Sequence, residues 1–208
     1  MSFDTLAPFY RAMEFFTAGG KLQRCRVAFL GEIPMPRKIL IAGEGHGRFL
    51  PECVKRFPDA RIVVVDFSAK MLEIARSKVA SDRVEFVHAD FLELVGPSGE
   101  FDLIVTNFFL DCFVGKDLAL VVAKLGKMAA PRADWLLADF EIAPEGAARW
   151  RSRIIVGMLY RFFRAVAGLR ANQLCPPDEE ITKAGFARYQ RETYDWGLLK
   201  SEWWRRGS

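Results

Sequence analysis

The sequence predicts an α/β fold: a doubly wound, mostly parallel sheet covered by helices on both faces. Three observations predict it. Residues 39–47 read Ile-Leu-Ile-Ala-Gly-Glu-Gly-His-Gly, an apolar run entering a glycine turn. Nineteen residues after Gly47, the run Val63-Val64-Val65 ends in Asp66. Further along, short continuous apolar runs alternate with segments of helical periodicity at the spacing of βαβ units. Continuous rather than alternating apolar residues mean burial on both faces, the situation of a parallel strand between two helical layers.

The elements follow in order. Phe3, Leu6, Tyr10, Met13 and Phe16 fall at helical spacing over residues 3–17, with Asp4 as N-cap and Gly19-Gly20 as the stop. A second short helix is expected over 21–30, and Pro34 and Pro36 then break the chain. The first core strand is 38–42. A helix over 47–57 buries Phe49, Leu50, Cys53, Val54 and Phe57. A strand spans 61–66, and a helix over 69–80 has Ser68 as its N-cap. Strands are expected at 83–88 and 101–106, with 91–99 too short and too rich in Gly and Pro for a full helix. A helix over 117–129 precedes a strand at 134–140. After a long helix within 144–170 come a short helix near 178–184, a strand from Gly185-Phe186 to about Tyr194, and a last strand at 197–204. The chain reads as one domain over 1–208: a helical cap (1–36), a cofactor-binding core (37–140), then the long helix and C-terminal strands (141–208).

The chemistry begins at the glycine turn. Glycines after a strand let the backbone approach a ligand where a Cβ would collide. A carboxylate at the tip of the next strand is placed to accept ribose hydroxyls. The pair therefore points to an adenosine-type cofactor. A dinucleotide turn has a third glycine at the position Arg48 occupies, so NAD is disfavoured.

The G-x-G-x-G turn resembles motif I of the class I S-adenosylmethionine-dependent methyltransferases. Three further segments resemble that family in order: Asp66 followed by Ser68 and Met71-Leu72; Val84-Glu85-Phe86-Val87-His88-Ala89-Asp90; and Phe101-Asp102-Leu103-Ile104-Val105-Thr106-Asn107. The resemblance implies a Rossmann-like, seven-stranded sheet whose last strand is antiparallel, with an N-terminal helical cap. It implies S-adenosyl-L-methionine as cofactor, held by Gly43, Glu44, Gly45, Gly47, Asp66, Phe67, Met71, Ala89, Asp90, Phe91, Thr106 and Asn107, with Asp90 meeting the adenine amino group. The chain departs from the family at Ile41, where motif I often carries an acid; Glu44 is expected to take over part of that role.

In this family, residues near the transferring methyl follow the fourth strand. Here that stretch is Asn107-Phe108-Phe109-Leu110-Asp111-Cys112-Phe113. It lacks the prolines of the amino-methylating members. Asp111, the lone carboxylate in an aromatic segment, reads either as a general base or acceptor-orienting group or as a cap for the next helix. His46, inside the glycine turn, is the second catalytic candidate; His88 reads as structural. Tyr10, Phe109 and Tyr160 are expected to line an apolar acceptor pocket.

Composition bounds the rest. The 208 residues are 51% hydrophobic, with net charge +4 and a sequence pI near 8.9. This is below the footprint expected of a nucleic-acid binder, so no nucleic-acid partner is expected. Four separated cysteines and two histidines form no metal-ligand pattern. With no signal-peptide pattern and no run long enough to span a bilayer, a cytoplasmic protein with reduced thiols is expected. Residues 146–170 hold arginines 149, 151, 153, 161, 164 and 170 and no acid. This stretch reads as a sheet-covering helix with solvated arginines, as an interfacial helix touching anionic lipid or an amphiphilic acceptor through 149–166, or as a nucleic-acid contact. The expected function is methyl transfer to a small hydrophobic or aromatic acceptor. Its alternatives are a non-catalytic adenosine-cofactor-binding protein and a methyltransferase acting on nucleic acid.

Overall fold

A computed structural model of the chain describes residues 20–168, 171 and 173–207. The helix expected over 3–17, and Tyr10 with it, lies outside the described residues. Seven strands form one sheet: β1 (Lys38–Ala42), β2 (Arg61–Asp66), β3 (Val84–His88), β4 (Phe101–Asn107), β5 (Ala129–Phe140), β6 (Ala187–Tyr194) and β7 (Leu199–Arg206). Their order across the sheet is β3-β2-β1-β4-β5-β7-β6. Strands β1 to β5 pair in parallel, and β7 runs antiparallel to both β5 and β6. The chain order reverses direction across the sheet between β1 and β4, which makes the carboxyl ends of these two strands the switch point where ligands bind.

The apolar runs are buried on both faces, as expected of central parallel strands. On one face α2 (Leu50–Arg56) and α3 (Ala69–Lys78) pack Leu50, Cys53, Leu72 and Ala75 against Ile39, Ile41 and Val105. On the other, α4 (Gly115–Met128) and α6 (Asp178–Lys183) cover Leu40, Ile104, Trp135 and Leu137. A third cluster joins α1 (Gly20–Val27) and α5 (Gly146–Ala167) to Ala138, Phe140 and Leu199. Successive β7 side chains point to opposite faces, so Trp203 enters the first cluster and Trp204 the second.

Element boundaries shift where backbone chemistry overrides periodicity. The helix expected to start at residue 47 starts at Leu50, with Pro51 in its first turn, because Gly43, Gly45 and Gly47 all adopt left-handed φ (72°, 56° and 64°) and cannot continue a right-handed helix. The helix placed at 69–80 ends at Lys78, and its Ser68 cap is real: Ser68 Oγ accepts from Met71 N at 3.2 Å. No helix forms between β3 and β4 among the described residues. The long helix ends at Ala167, where Gly168 closes it with φ 65°. The last strand starts at Leu199 rather than 197, because Asp195 (φ 51°), Trp196 (φ 58°) and Gly197 (φ 77°) form a left-handed turn.

Candidate active site

The glycine turn after β1 is held at both ends. Gly43 N donates to Val65 O at 2.9 Å, joining the turn to β2. A Cβ on Gly43 would sit 2.5 Å from Cδ2 of the Phe109 ring, and one on Gly47 would sit 2.7 Å from Ala75 Cα. Both positions thus combine positive φ with a contact that tolerates no side chain.

Asp66 ends β2 and ties this turn to the next. Its Oδ2 accepts from Gly45 N at 3.0 Å and its Oδ1 from Ser68 N at 2.9 Å. Burial raises its pKa, against the pull of those two amides. A carboxylate has about four lone-pair sites, so acceptor capacity remains for ribose hydroxyls. Beside it, Phe67 is exposed, and its carbonyl oxygen lies 2.8 Å from His88 Nε2. Ala89 N donates to Asp66 O at 3.1 Å. Asp90 Oδ1 accepts from Leu92 N at 2.9 Å, folding the chain into a tight turn after β3.

Glu44 has a different place from the one its sequence position suggested. Its Oε1 accepts from Phe49 N at 2.9 Å and Leu50 N at 2.7 Å, satisfying two otherwise unpaired amides where α2 begins. Burial pushes its pKa up to about 7 despite those amides. The carboxylate offered as a grip on the cofactor's methionine end is committed to the helix terminus through this oxygen.

Two residues of the expected cofactor set are turned inward. Thr106 is fully buried, and its hydroxyl accepts from Trp135 Nε1 at 2.9 Å, so its side chain belongs to the core. Phe91 is buried too, its ring edge-on to Phe109 with centroids 5.4 Å apart. Asn107, next to Thr106, lies on the opposite face of β4. Its side chain is buried, and neither Oδ1 nor Nδ2 has a hydrogen-bond partner among the described residues. Unpaired buried amides are rare in folded proteins. This one stands at the carboxyl end of β4, beside the switch point.

The segment after β4 opens with strain: Phe108 has φ 53°, and its N donates to Ala138 O at 2.7 Å. A 3-10 turn over Leu110–Cys112 then carries Asp111. The Tyr160 hydroxyl, from α5, donates to Asp111 O at 2.7 Å. Phe109 packs between Phe91 and Phe113. Asp111, Phe109 and Tyr160 are thus brought together, whereas His46 sits on the β1 turn, buried on the Asp66 side. Burial pushes the Asp111 carboxyl up to about 6.

Residues 39–132 match a family model described as a methyltransferase domain. Just under half of the chain, from β1 into β5, is therefore similar to a methyltransferase domain. The chain is 35% identical to a malonyl-[acyl-carrier protein] O-methyltransferase of Priestia megaterium over 102 residues, 49% of this chain and 36% of the relative. A demethylmenaquinone methyltransferase of Roseiflexus castenholzii is 29% identical over 159 residues, 76% of this chain and 63% of the relative. The chain thus spans less than two thirds of the length of these curated relatives. Among solved structures, a Burkholderia thailandensis 1,6-didemethyltoxoflavin-N1-methyltransferase, with its substrate and S-adenosylhomocysteine bound, superposes with a TM-score of 0.66 at 18% identity, over 99% of this chain and 86% of that one. This likeness concerns the fold.

Two features of the candidate site went unread in the sequence. Lys124 of α4 donates to the carbonyls of Leu92 at 2.5 Å, Leu94 at 3.0 Å and Phe91 at 3.3 Å, clamping the turn that follows Asp90. Asp139, near the end of β5, is 1% exposed and accepts from Phe140 N at 2.8 Å. Burial and then the charge of Asp111 hold its carboxyl well above the ordinary range, opposed by Lys200. A lysine in an amphipathic helix and an acid inside an apolar strand carry no signal until β4, β5 and α4 are packed together.

Proposed function

We propose that this chain transfers the methyl group of S-adenosylmethionine to a small hydrophobic or aromatic acceptor. The observation that carries this reading is the convergence, on one edge of the sheet, of the glycine turn, the Asp66 carboxylate and the unpartnered amide of Asn107. These groups fit the cofactor: backbone open to close approach, spare carboxylate lone pairs for hydroxyls, and a buried amide with both donors and its acceptor to offer. Bound there, the cofactor supplies an already activated methyl group. The residues therefore have only to bind it, exclude water and align an acceptor.

Phe108, Phe109 and Phe113, with Tyr160 from α5, provide the apolar surroundings, and Asp111 is the group that accepts a proton from the acceptor. Aromatic walls with few polar groups suit a flat lipophilic molecule. Of the acceptors named for the relatives, the quinone-like class fits this lining better than a charged malonyl group.

The test is S-adenosylhomocysteine release by the purified chain against a pooled set of phenols, hydroquinones, amines and carboxylates, with calorimetry of S-adenosylhomocysteine binding alongside. Turnover confined to apolar hydroxyl or amine acceptors is expected. Absence of S-adenosylhomocysteine binding, or turnover only with oligonucleotides, would sink the proposal.

A further inference from the structure

The outer face of α5 is chemically unlike the rest of the surface. Trp150 is 72% exposed and Met158 59%, with Ile154 between them at four-residue intervals, so the three form one stripe. Arg149, Arg153, Arg161 and Arg164 are exposed on the same helix. Residues 146–168 contain no carboxylate, and none of these four arginines forms an ion pair among the described residues. The remaining arginine of the helix, Arg151, is the one that pairs: its Nη2 lies 2.8 Å from Asp195 Oδ2.

That pair leads to the second observation. Asp195 and Trp196 both have left-handed φ, a conformation costly for residues with a Cβ, and the Trp196 indole is 74% exposed. Lys21 and Arg151 both hold the Asp195 carboxylate, and Gly197 packs close to Ala143 just before α5. Ion pairs and packing therefore fix a strained turn that holds an indole out in water beside the helix. Core packing does not explain this, since most of the Trp196 side chain faces water.

We propose that the outer face of α5, together with the Trp196 turn, is a docking surface for an anionic phospholipid bilayer. Charge decides the occupant. A row of arginines without a single acid complements a sheet of phosphates, whereas a protein partner would ordinarily meet mixed charge. Geometry argues in the same direction. The apolar stripe lies along the outer side of one helix, and Trp150 with the neighbouring Trp196 are side chains that favour the headgroup boundary. No helix among the described residues is long and apolar enough to cross a membrane, so the helix lies along the surface rather than through it. The buried side of α5 includes Tyr160, bonded to Asp111. One helix thus has the lipid surface on one side and the candidate site on the other. Docking at this face does not depend on which molecule is methylated.

The experiment is co-sedimentation of the full chain with extruded vesicles of phosphatidylcholine alone, or with about one third phosphatidylglycerol. Binding to the anionic vesicles only is expected, falling steeply as salt is raised. Each arginine near such a surface contributes about a fivefold gain, so Arg153→Glu with Arg161→Glu should weaken binding roughly a hundredfold or more. Tryptophan emission should shift to the blue on anionic vesicles, and Trp150→Phe with Trp196→Phe should remove most of that shift while leaving the thermal midpoint unchanged. Should the charge-reversal variant fail to fold, the salt dependence and emission shift of the unmodified chain decide. Equal binding to neutral vesicles, no binding to either, an unaltered shift in the double phenylalanine variant, or tighter binding to an RNA duplex than to vesicles would each overturn the proposal.

Discussion

The Glu44 carboxylate lies 2.7 Å from the backbone nitrogen of Leu50, so a side chain of the glycine turn closes the start of the helix that follows it. The turn and α2 are consequently one mechanical unit. A ligand pressed against Gly43–Gly47 meets a loop anchored at β2 through Gly43, at Asp66 through Gly45, and at α2 through Glu44.

This relationship predicts a pH dependence. The folded-state pKa of Glu44, about 7, is raised by burial above its ordinary 4.5. Between those values the folded protein binds more protons than the unfolded chain, so this group's contribution falls as pH rises from about 4.5 to about 7. Glu44→Gln keeps an oxygen for the two amides and removes the charge. Its thermal midpoint should change less than that of the unmodified protein between pH 5 and pH 8. Glu44→Ala, which loses the cap, should be destabilised by about 1–2 kcal/mol at pH 5. Identical pH profiles for the unmodified and glutamine proteins would refute the assignment.

Asp66→Ala should weaken S-adenosylhomocysteine binding at least tenfold in calorimetry. Each charge-assisted hydrogen bond is worth roughly 1.5–3 kcal/mol, and the same carboxylate shapes the turn through Gly45 and Ser68. The variant should still fold, because the strand-end carboxylate is outside the apolar clusters. An unchanged affinity in a folded variant counts against the site.

Gly47→Ala forces a Cβ into a left-handed residue 2.7 Å from the Ala75 backbone. With no flexible side-chain end there to yield, α3 must move away, at a cost of about 1–3 kcal/mol. Denaturant titration should show that loss, and cofactor affinity should fall with it. Alanine tolerated at full stability would mean that the contact is looser than described.

If Asp111 takes the acceptor's proton, it must be ionised to act. With its pKa pushed up to about 6, the rate should rise with pH through about 6 and level off above 7. Asp111→Asn should lower kcat by about a hundredfold or more and abolish that limb, while leaving S-adenosylhomocysteine affinity nearly unchanged. A retained limb in the asparagine variant would move the base elsewhere. The observation motivating this test is Asp111's position between Tyr160 and the aromatic cluster.

The sequence by itself determined the order of strands and helices, the glycine turn, and Asp66 at the next strand tip. These are set within a few residues by periodicity, φ preference and capping, as the Ser68 cap shows. Which way side chains face was decided only by the tertiary structure. In β4 both faces are apolar, so no alternation distinguishes Thr106, buried against Trp135, from Asn107, whose side chain has no hydrogen-bond partner among the described residues. Glu44 turns inward because α2 begins three residues later than its apolar pattern suggests, leaving amides to be satisfied. The Asp111 charge acts on the Asp139 carboxyl, and Lys124 meets the turn after Asp90, across separations that no local rule spans. Trp196 projects into water because Lys21 and Arg151, far away in sequence, hold Asp195 in a conformation its own backbone disfavours. Local chemistry writes the elements; the desolvation and pairing of groups distant along the chain choose their faces.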